Sequence, residues 1–306
     1  MQKIIRFIQR LPLGANFIIG LVAFKAGFKG VPVIYSLSEY NKVFSDDEIE
    51  NIFADLDEES VSAAKRFMKR QLSVPYGSVF IHPKYFFTEA EQKEYKKILP
   101  VFKKECRKYK LNFNDVGPES IYYHHGLRFA PDFVKKNIAG KLFADIGGFI
   151  GDSALVFLNY SPQKIIIFEP FADCRKKISA TLKKNSVKDS EYEIIPYALS
   201  DCSADNNGMD CRTLDELYIS KEGTFGVLKA DIEGMGLNFV RGAEQIIRRD
   251  RPLLSLSIYH NASEFAGIYQ TLKSWNLDYH FEIKSFSPLT PWGEHSLFAY
   301  PKEWIC

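Results

Sequence analysis

Cysteine is scarce and scattered in this chain. Its five copies, at 106, 174, 202, 211 and 306, form no C-x-x-C pair and are odd in number. Neither a disulfide framework nor a zinc site is expected, and a reducing cytoplasm suits the sequence. An excess of one charge is missing too. Forty Lys and Arg face 38 Asp and Glu, a formal +2, without the strong basic field that phosphate-backbone binding requires, so nucleic acid is not an expected partner. There is no internal repeat and no apolar run of bilayer length. The stretch from Leu11 to Phe24 follows a basic start, but Pro12, Gly14, Asn16 and Gly20 interrupt it and no small-x-small cleavage site follows. It reads as an amphipathic segment packed on the protein. The alternative is loose attachment to the inner face of a membrane, with Ile4, Phe7 and Ile8 inserted.

What is present is ample material for a core: 306 residues, 46% of them apolar, enough for one large domain or two moderate ones. Residues 38–116 read as mainly helical and charge-rich. Ser45 with Glu48 and Thr88 with Glu91 carry the spacing of capping boxes, and the charge runs read as solvated faces. The segment 73–87 is proline-broken and aromatic, a loop with a short strand, its His82 and Tyr85 serving packing or surface. From about 140 the pattern alternates apolar strands with amphipathic helices, the mark of a parallel sheet with crossover helices. Strands are expected at 142–146, 165–168, 192–197, 227–232, 253–259, 279–284 and 295–300. Helices are expected at 153–158, after Pro170 with Phe171, Cys174, Ile178 and Leu182 on one stripe and Asn185 as its stop, then at 213–219, 237–248 and 262–275. The polar stretch 201–211 reads as a loop.

The most informative stretch is LFADIGGFIGD at 142–152 with IIIFEP at 165–170. Gly147, Gly148 and Gly151 let the backbone approach a ligand, and Glu169, about 20 residues on, can take the two hydroxyls of a ribose. The spacing is D-x-G-G-x-x-G rather than the G-x-G-x-x-G that seats a pyrophosphate. Asp145 would repel a phosphate but help hold an ammonium, which points to S-adenosylmethionine as the adenosine cofactor. In open parallel sheets ligands bind beyond the carboxyl ends of the strands. Here those ends carry Asp145, Glu169, the Ala198-Leu199-Ser200-Asp201 run, the Asp231-Ile232-Glu233-Gly234 run and Tyr259-His260, which implies one continuous cleft.

Together with YYHHGL at 122–127, DIGGFIGDSALVF at 145–157, TLDEL at 213–217, LKADIEG at 228–234, RGAE at 241–244 and IYH at 258–260, these motifs resemble the FkbM-type S-adenosylmethionine-dependent methyltransferases over roughly 120–300. The resemblance implies an α/β class I Rossmann-like fold with a mostly parallel seven-stranded sheet, a methyltransferase domain over 119–306, and a mainly helical cap or substrate region over 1–118. It implies Glu169 on the ribose, the 147–151 turn around the methionine moiety, and Ala198 and Leu199 near adenine. It also implies O-methylation of a small-molecule or glycan hydroxyl, surface polysaccharide sugars included. One position departs from the pattern: Gly236 stands where the family usually has an acidic residue.

Asp231 and His260, at adjoining strand ends, are the candidates for the base that takes the acceptor's proton. Glu233 is a candidate for orienting the acceptor, for ligating a divalent ion with Asp231, or for holding the turn; no residue pattern demands a metal. His124 is a candidate for the substrate side. Two other readings compete: a nicotinamide-dependent oxidoreductase or epimerase, against which the glycine spacing speaks, and a degenerate methyltransferase acting as a noncatalytic scaffold.

Overall fold

The computed structural model describes residues 31–33, 44–73, 79–81, 87–206, 209–286 and 293–305. The apolar N-terminal stretch, His82 and Tyr85 lie outside them. The described residues open with β1 (Val31–Val33), α1 (Asp46–Ile52), α2 (Glu58–Ser73), β2 (Val79–Ile81) and α3 (Glu89–Lys108). β1 and β2 pair antiparallel, Val31 opposite Ile81. Both capping boxes form: the Ser45 hydroxyl accepts from the Glu48 amide at 3.2 Å while Glu48 accepts from the Ser45 amide at 2.8 Å, and Thr88 and Glu91 do the same at 3.2 and 2.7 Å. Each box satisfies two amides that the first helical turn leaves without partners.

After α4 (Pro118–Ile121) and α5 (Asp132–Ile138) the alternating part begins with β3 (Leu142–Ile146), α6 (Asp152–Phe157), β4 (Lys164–Phe168), α7 (Ala172–Lys184) and β5 (Tyr192–Ile195). There follow β6 (Ala198–Leu199), β7 (Ala204–Asn206), β8 (Met209–Arg212), α8 (Leu214–Tyr218), β9 (Phe225–Ala230), α9 (Gly236–Arg241), α10 (Glu244–Asp250) and β10 (Leu253–Ser257). The described chain closes with a π-helical turn at Ser263–Gly267, α11 (Ile268–Ser274), β11 (Tyr279–Ser285) and β12 (His295–Pro301). Seven strands make the main sheet, in the order β5-β4-β3-β9-β10-β12-β11. β5 through β10 are mutually parallel and β12 is antiparallel to both its neighbours. This is the expected α/β class I methyltransferase arrangement, with order reversal beside β3, the place where such sheets open a ligand crevice.

Alternation along β3 sets the two faces. Leu142, Ala144 and Ile146 point into one hydrophobic cluster, and Phe143 into the other. The first cluster takes α1, α2 and α8 through α11. Phe265 of the π-helical turn is its hub, with the rings of Phe44, Phe53 and Phe67 at 5.4, 5.5 and 5.6 Å. The second cluster takes α3 through α7, with Ile98, Phe102 and Cys106 of α3 and Ile178 and Leu182 of α7 among its members. The N-terminal helices thus pack on both faces of the sheet.

Three sequence expectations change. The stretch 201–211 is not a plain loop: β6, β8 and β7 form a small sheet of their own. The helix expected over 237–248 breaks between α9 and α10, and at the break a Cβ on Gly242 would lie 1.9 Å from the Ser200 carbonyl oxygen. The chain is bare there, which lets the segment leaving β6 approach it closely. Phe171, placed on the buried stripe of α7, is 57% exposed, although Ile178 and Leu182 are buried.

The break leaves the start of α10 to be capped from elsewhere. Asp215 of α8, mostly buried, accepts from the amides of Gln245 at 3.0 Å and Ile246 at 2.9 Å. Asp215→Ala leaves two helix-start amides without partners, that of Ile246 buried, and is expected to lower unfolding free energy by about 1–3 kcal/mol. A urea denaturation midpoint indistinguishable from that of the wild type would refute the capping role.

Candidate active site

A cleft of about 670 Å³ opens at the carboxyl ends of β3, β4 and β9. Its floor is the turn after β3. Gly147 has φ +84°, and a Cβ there would fall 2.2 Å from the Asp231 carbonyl oxygen, so the turn closes against the end of β9 only with glycine in this place. Gly148 sits over Ile167 and Ile178, and Gly151 is the N-cap of α6, backed by Ile178. Glu169, at the end of β4, is 4% exposed. One of its carboxylate oxygens accepts from the Phe149 amide at 3.0 Å and the other from the Phe171 amide at 2.9 Å. Its orientation is therefore fixed, and each oxygen retains a lone pair for a hydroxyl donor. Tyr197, Ala198, Leu199 and Met209 supply an apolar wall beyond it.

At the other end lies a charged network. Lys229, in the middle of the sheet and 4% exposed, donates to the Asp145 carboxylate at 2.9 Å and to the Gly147 carbonyl at 3.0 Å. Burial opposes its charge, but Asp145 and Asp231 outweigh this and raise its pKa, so it remains an ammonium. Asp231 accepts from the Tyr259 hydroxyl at 3.2 Å on both oxygens and lies 3.1 Å from His260 Nε2. The other ring nitrogen of His260 is 2.8 Å from Glu264, a carboxylate buried to 1% exposure. Burial alone would lower the His260 pKa, yet hydrogen bonds and charge from Asp231 and Glu264 bring it up to about 10. The same bond, with Lys229, overcomes the burial that would raise Asp231 and holds it down at about 2. Near neutrality His260 is thus an imidazolium clamped between two carboxylates. A ring that already holds its proton is poorly suited to take another, so the arrangement weighs against the expected role of His260 as the base.

Six of the residues singled out in the sequence line this cleft: Gly147, Glu169, Ala198, Leu199, Asp231 and Glu233. Asp145, Gly148, Gly151 and His260 stand behind its wall. Asp145 does not face the cleft with a free charge, since Lys229 occupies one of its oxygens. His124 is displaced from the expected wall. Its Nδ1 is 2.7 Å from the Tyr160 hydroxyl, its Nε2 is 3.8 Å from Glu105, and burial first, then Arg128 and Lys108, lower its pKa to about 4. The neighbouring His125 lines the cleft instead, with Nε2 2.8 Å from the Ser153 hydroxyl. Burial and the Lys229 charge hold it neutral.

Sequence reasoning missed Glu119, Asp152 and Lys229 as lining groups, and Glu264 as a partner behind them. Burial, then the charges of Asp152 and Asp231, push the Glu119 carboxyl up to about 8. Burial and the charges of Glu119 and Asp231 raise Glu294 well above the usual range. The departure at Gly236 also finds a physical counterpart. Its amide donates to Glu264 at 2.7 Å, and a Cβ there would meet the same oxygen at 2.7 Å, so the space of the expected acidic side chain holds the carboxylate of Glu264. Among the described residues no group of three metal-ligating side chains is assembled to hold an ion, and no helix is long and apolar enough to cross a membrane.

Residues 203–281 match the model of the methyltransferase FkbM domain. The FkbM methyltransferase of Methylobacillus flagellatus KT superposes with a TM-score of 0.57 at 17% identity, covering 82% of this chain and 57% of that one. The chain therefore spans little more than half the length of that protein, and the likeness is one of fold. The O-methyltransferase TomG of Streptomyces achromogenes (TM-score 0.45, 11% identity, 72% of this chain and 99% of that one) and an rRNA methylase of Streptococcus thermophilus (0.43, 14%, 61% and 97%) are too distant to add to it. No curated protein sequence matches the chain. The segment that carries the D-x-E-G strand end, the RGAE break and the IYH strand end is thus the part that matches the FkbM methyltransferase domain, set in a chain with the class I methyltransferase fold.

Proposed function

We propose that the protein is an S-adenosylmethionine-dependent O-methyltransferase acting on a hydroxyl of a small molecule or glycan. The observation that carries this reading is the charge of the cleft. Four carboxylates, Asp152, Glu169, Asp231 and Glu233, and the raised carboxyl of Glu119 line it against one cationic side chain, Lys229, and that ammonium is already paired with Asp145. Such a wall repels a pyrophosphate and attracts a cationic ligand, which argues against the nicotinamide alternative. The residues fit the cofactor: Glu169 is rigidly presented for ribose hydroxyls, the glycine turn leaves room beside Ile146 and Gly147, and Ala198 and Leu199 offer an apolar face for adenine.

When bound, S-adenosylmethionine would supply a methyl carbon on a sulfonium, open to in-line attack by an oxygen nucleophile with the neutral thioether as the leaving group. The chain's own residues supply alignment and electrostatics. Asp231, ionised across the neutral range, accepts a hydrogen bond from the acceptor hydroxyl and directs its lone pair. Tyr259 and the His260 imidazolium fix the carboxylate's position. Held at about 2, Asp231 is a weak base, so its contribution is mainly orientation, with the proton passing on to solvent as the ether forms. Glu233, on the cleft rim, serves acceptor binding.

Isothermal titration with S-adenosylhomocysteine is expected to give micromolar affinity in the wild type, with at least a tenfold loss in Glu169→Ala and no binding in Gly147→Ala, whose Cβ has no space. NAD should not bind. Absence of S-adenosylhomocysteine binding by the wild type, or tight NAD binding, would overturn the reading.

The clamp makes a separate prediction of pH dependence. The folded pKa of His260 lies above its unfolded value near 6.5, so the stabilisation is full below about pH 6.5 and is lost as pH rises towards about 10. Thermal midpoints should fall more steeply between pH 7 and 10 in the wild type than in His260→Gln, and the His260 ring should be seen protonated by NMR at pH 8. Equal slopes for the two proteins would remove the clamp.

A further inference from the structure

The near-neutral formal charge conceals a strong asymmetry. Residues 96–110, the second half of α3 and its exit, hold seven Lys or Arg and one Glu, net +6; residues 172–188, α7 and its exit, hold six and one Asp, net +5. Together they carry +11 in a chain whose total is +2, so the rest is net −9. The two segments are neighbours. Lys110 donates to the Lys184 carbonyl and Lys184 to the Lys110 carbonyl, both at 2.7 Å, and α3 and α7 share a hydrophobic cluster beneath. Eleven of the thirteen basic side chains are exposed. Among the described residues only Lys176 of these has a carboxylate partner, Asp173.

Two exposed aromatic rings complete the face. Phe113 is 42% and Phe149 54% exposed. Patch lysines lean over both, Lys103 at 4.8 Å from the Phe113 ring and Lys177 at 5.9 Å from that of Phe149. Phe149 also lines the cleft, so the patch borders the cleft mouth.

We propose that this face docks on an anionic lipid bilayer. The chemistry is that of an interfacial contact: a broad array of mainly lysine charges on two helix backs, with rings able to enter the headgroup layer. The charge is nearly all Lys rather than the Arg forks that grip individual phosphates. Lys110, Lys177 and Lys184 border an open hollow with one ring, Phe149, and the remaining charge spreads over exposed helix backs, without the series of stacking platforms that a single-stranded nucleic acid would require. Docking brings the cleft mouth to the lipid surface, and it stands independently of the transferase reading.

Sedimentation of the full chain with phosphatidylcholine vesicles, with and without 30% phosphatidylglycerol, at low and high salt tests this. Binding at least tenfold stronger to the anionic vesicles, and lost at high salt, is expected. Lys110→Gln/Lys177→Gln/Lys184→Gln should weaken it about a hundredfold, since each lysine near such a surface contributes about fivefold. Phe113→Ser should weaken it severalfold. Unchanged thermal midpoints in both variants would establish that the fold is intact. Equal binding to neutral and anionic vesicles, unaltered binding by the triple variant, or tighter binding of poly(U) RNA than of anionic vesicles at the same salt would overturn the proposal.

Discussion

The ammonium of Lys229 ties the ends of the two central strands together, and the geometry of the cleft follows from that tie. Buried between β3 and β9, it bonds the Asp145 carboxylate and the Gly147 carbonyl at once. The first bond neutralises a carboxylate that is fully buried; the second pins the glycine turn. A cation in this position would be costly without partners, and Asp145 would be equally so. Each makes the other tolerable, and the fold gains a fixed turn rather than a large net energy. Because the turn is fixed, the Phe149 amide sits where Glu169 can accept from it, and Asp231 closes over Gly147. The adenosine end and the reacting end of the cleft are thus two consequences of one buried ion pair.

The same reasoning separates the roles of the carboxylates. Acidic residues in one cleft repel each other unless cations are interposed or protons retained. Lys229 and the His260 imidazolium are interposed around Asp231, which stays ionised. Glu119 and Glu294 lack such partners and are driven towards the protonated form. The cleft therefore combines one strongly ionised carboxylate with carboxyls poised to lose a proton when a positive group approaches. Carboxylates with divergent environments divide their labour in this way in many sites. Here His260 from behind the wall and Lys229 within it hold Asp231 ionised, while burial and the charges of Asp152 and Asp231 raise Glu119.

Much of the fold was legible because its signals are local. Apolar runs bounded by polar punctuation gave all seven main-sheet strands within a few residues, and the capping boxes at Ser45 and Thr88 depend only on contacts three residues apart. The glycine turn and Glu169 were legible for the same reason, since a strand, a bare turn and an acidic strand end follow in fixed order. What escaped depends on tertiary proximity. The small sheet of β6, β7 and β8 is polar in sequence, and only the close approach of the segment leaving β6 to Gly242 reveals why that glycine is there. His124 and His125 are adjacent and chemically alike, and the positive φ of both, 50° and 52°, sends them into different environments that no periodicity could assign. Lys229 reads as an interruption of an apolar strand until Asp145 is seen beside it.

The gap at Gly236 shows how far such reasoning extends. Read along the chain, it removes an acidic group from a pattern that usually has one, which by itself favours a degenerate enzyme. In space the carboxylate is not missing. Glu264 reaches the same point from the π-helical turn, accepts from the Gly236 amide and clamps His260. An added acidic side chain at 236 would be driven against Glu264, so the two cannot coexist in the arrangement seen. The glycine and the buried glutamate therefore make sense only as a pair. The network around Asp231 thus has a buried carboxylate beside position 236, supplied by the π-helical turn.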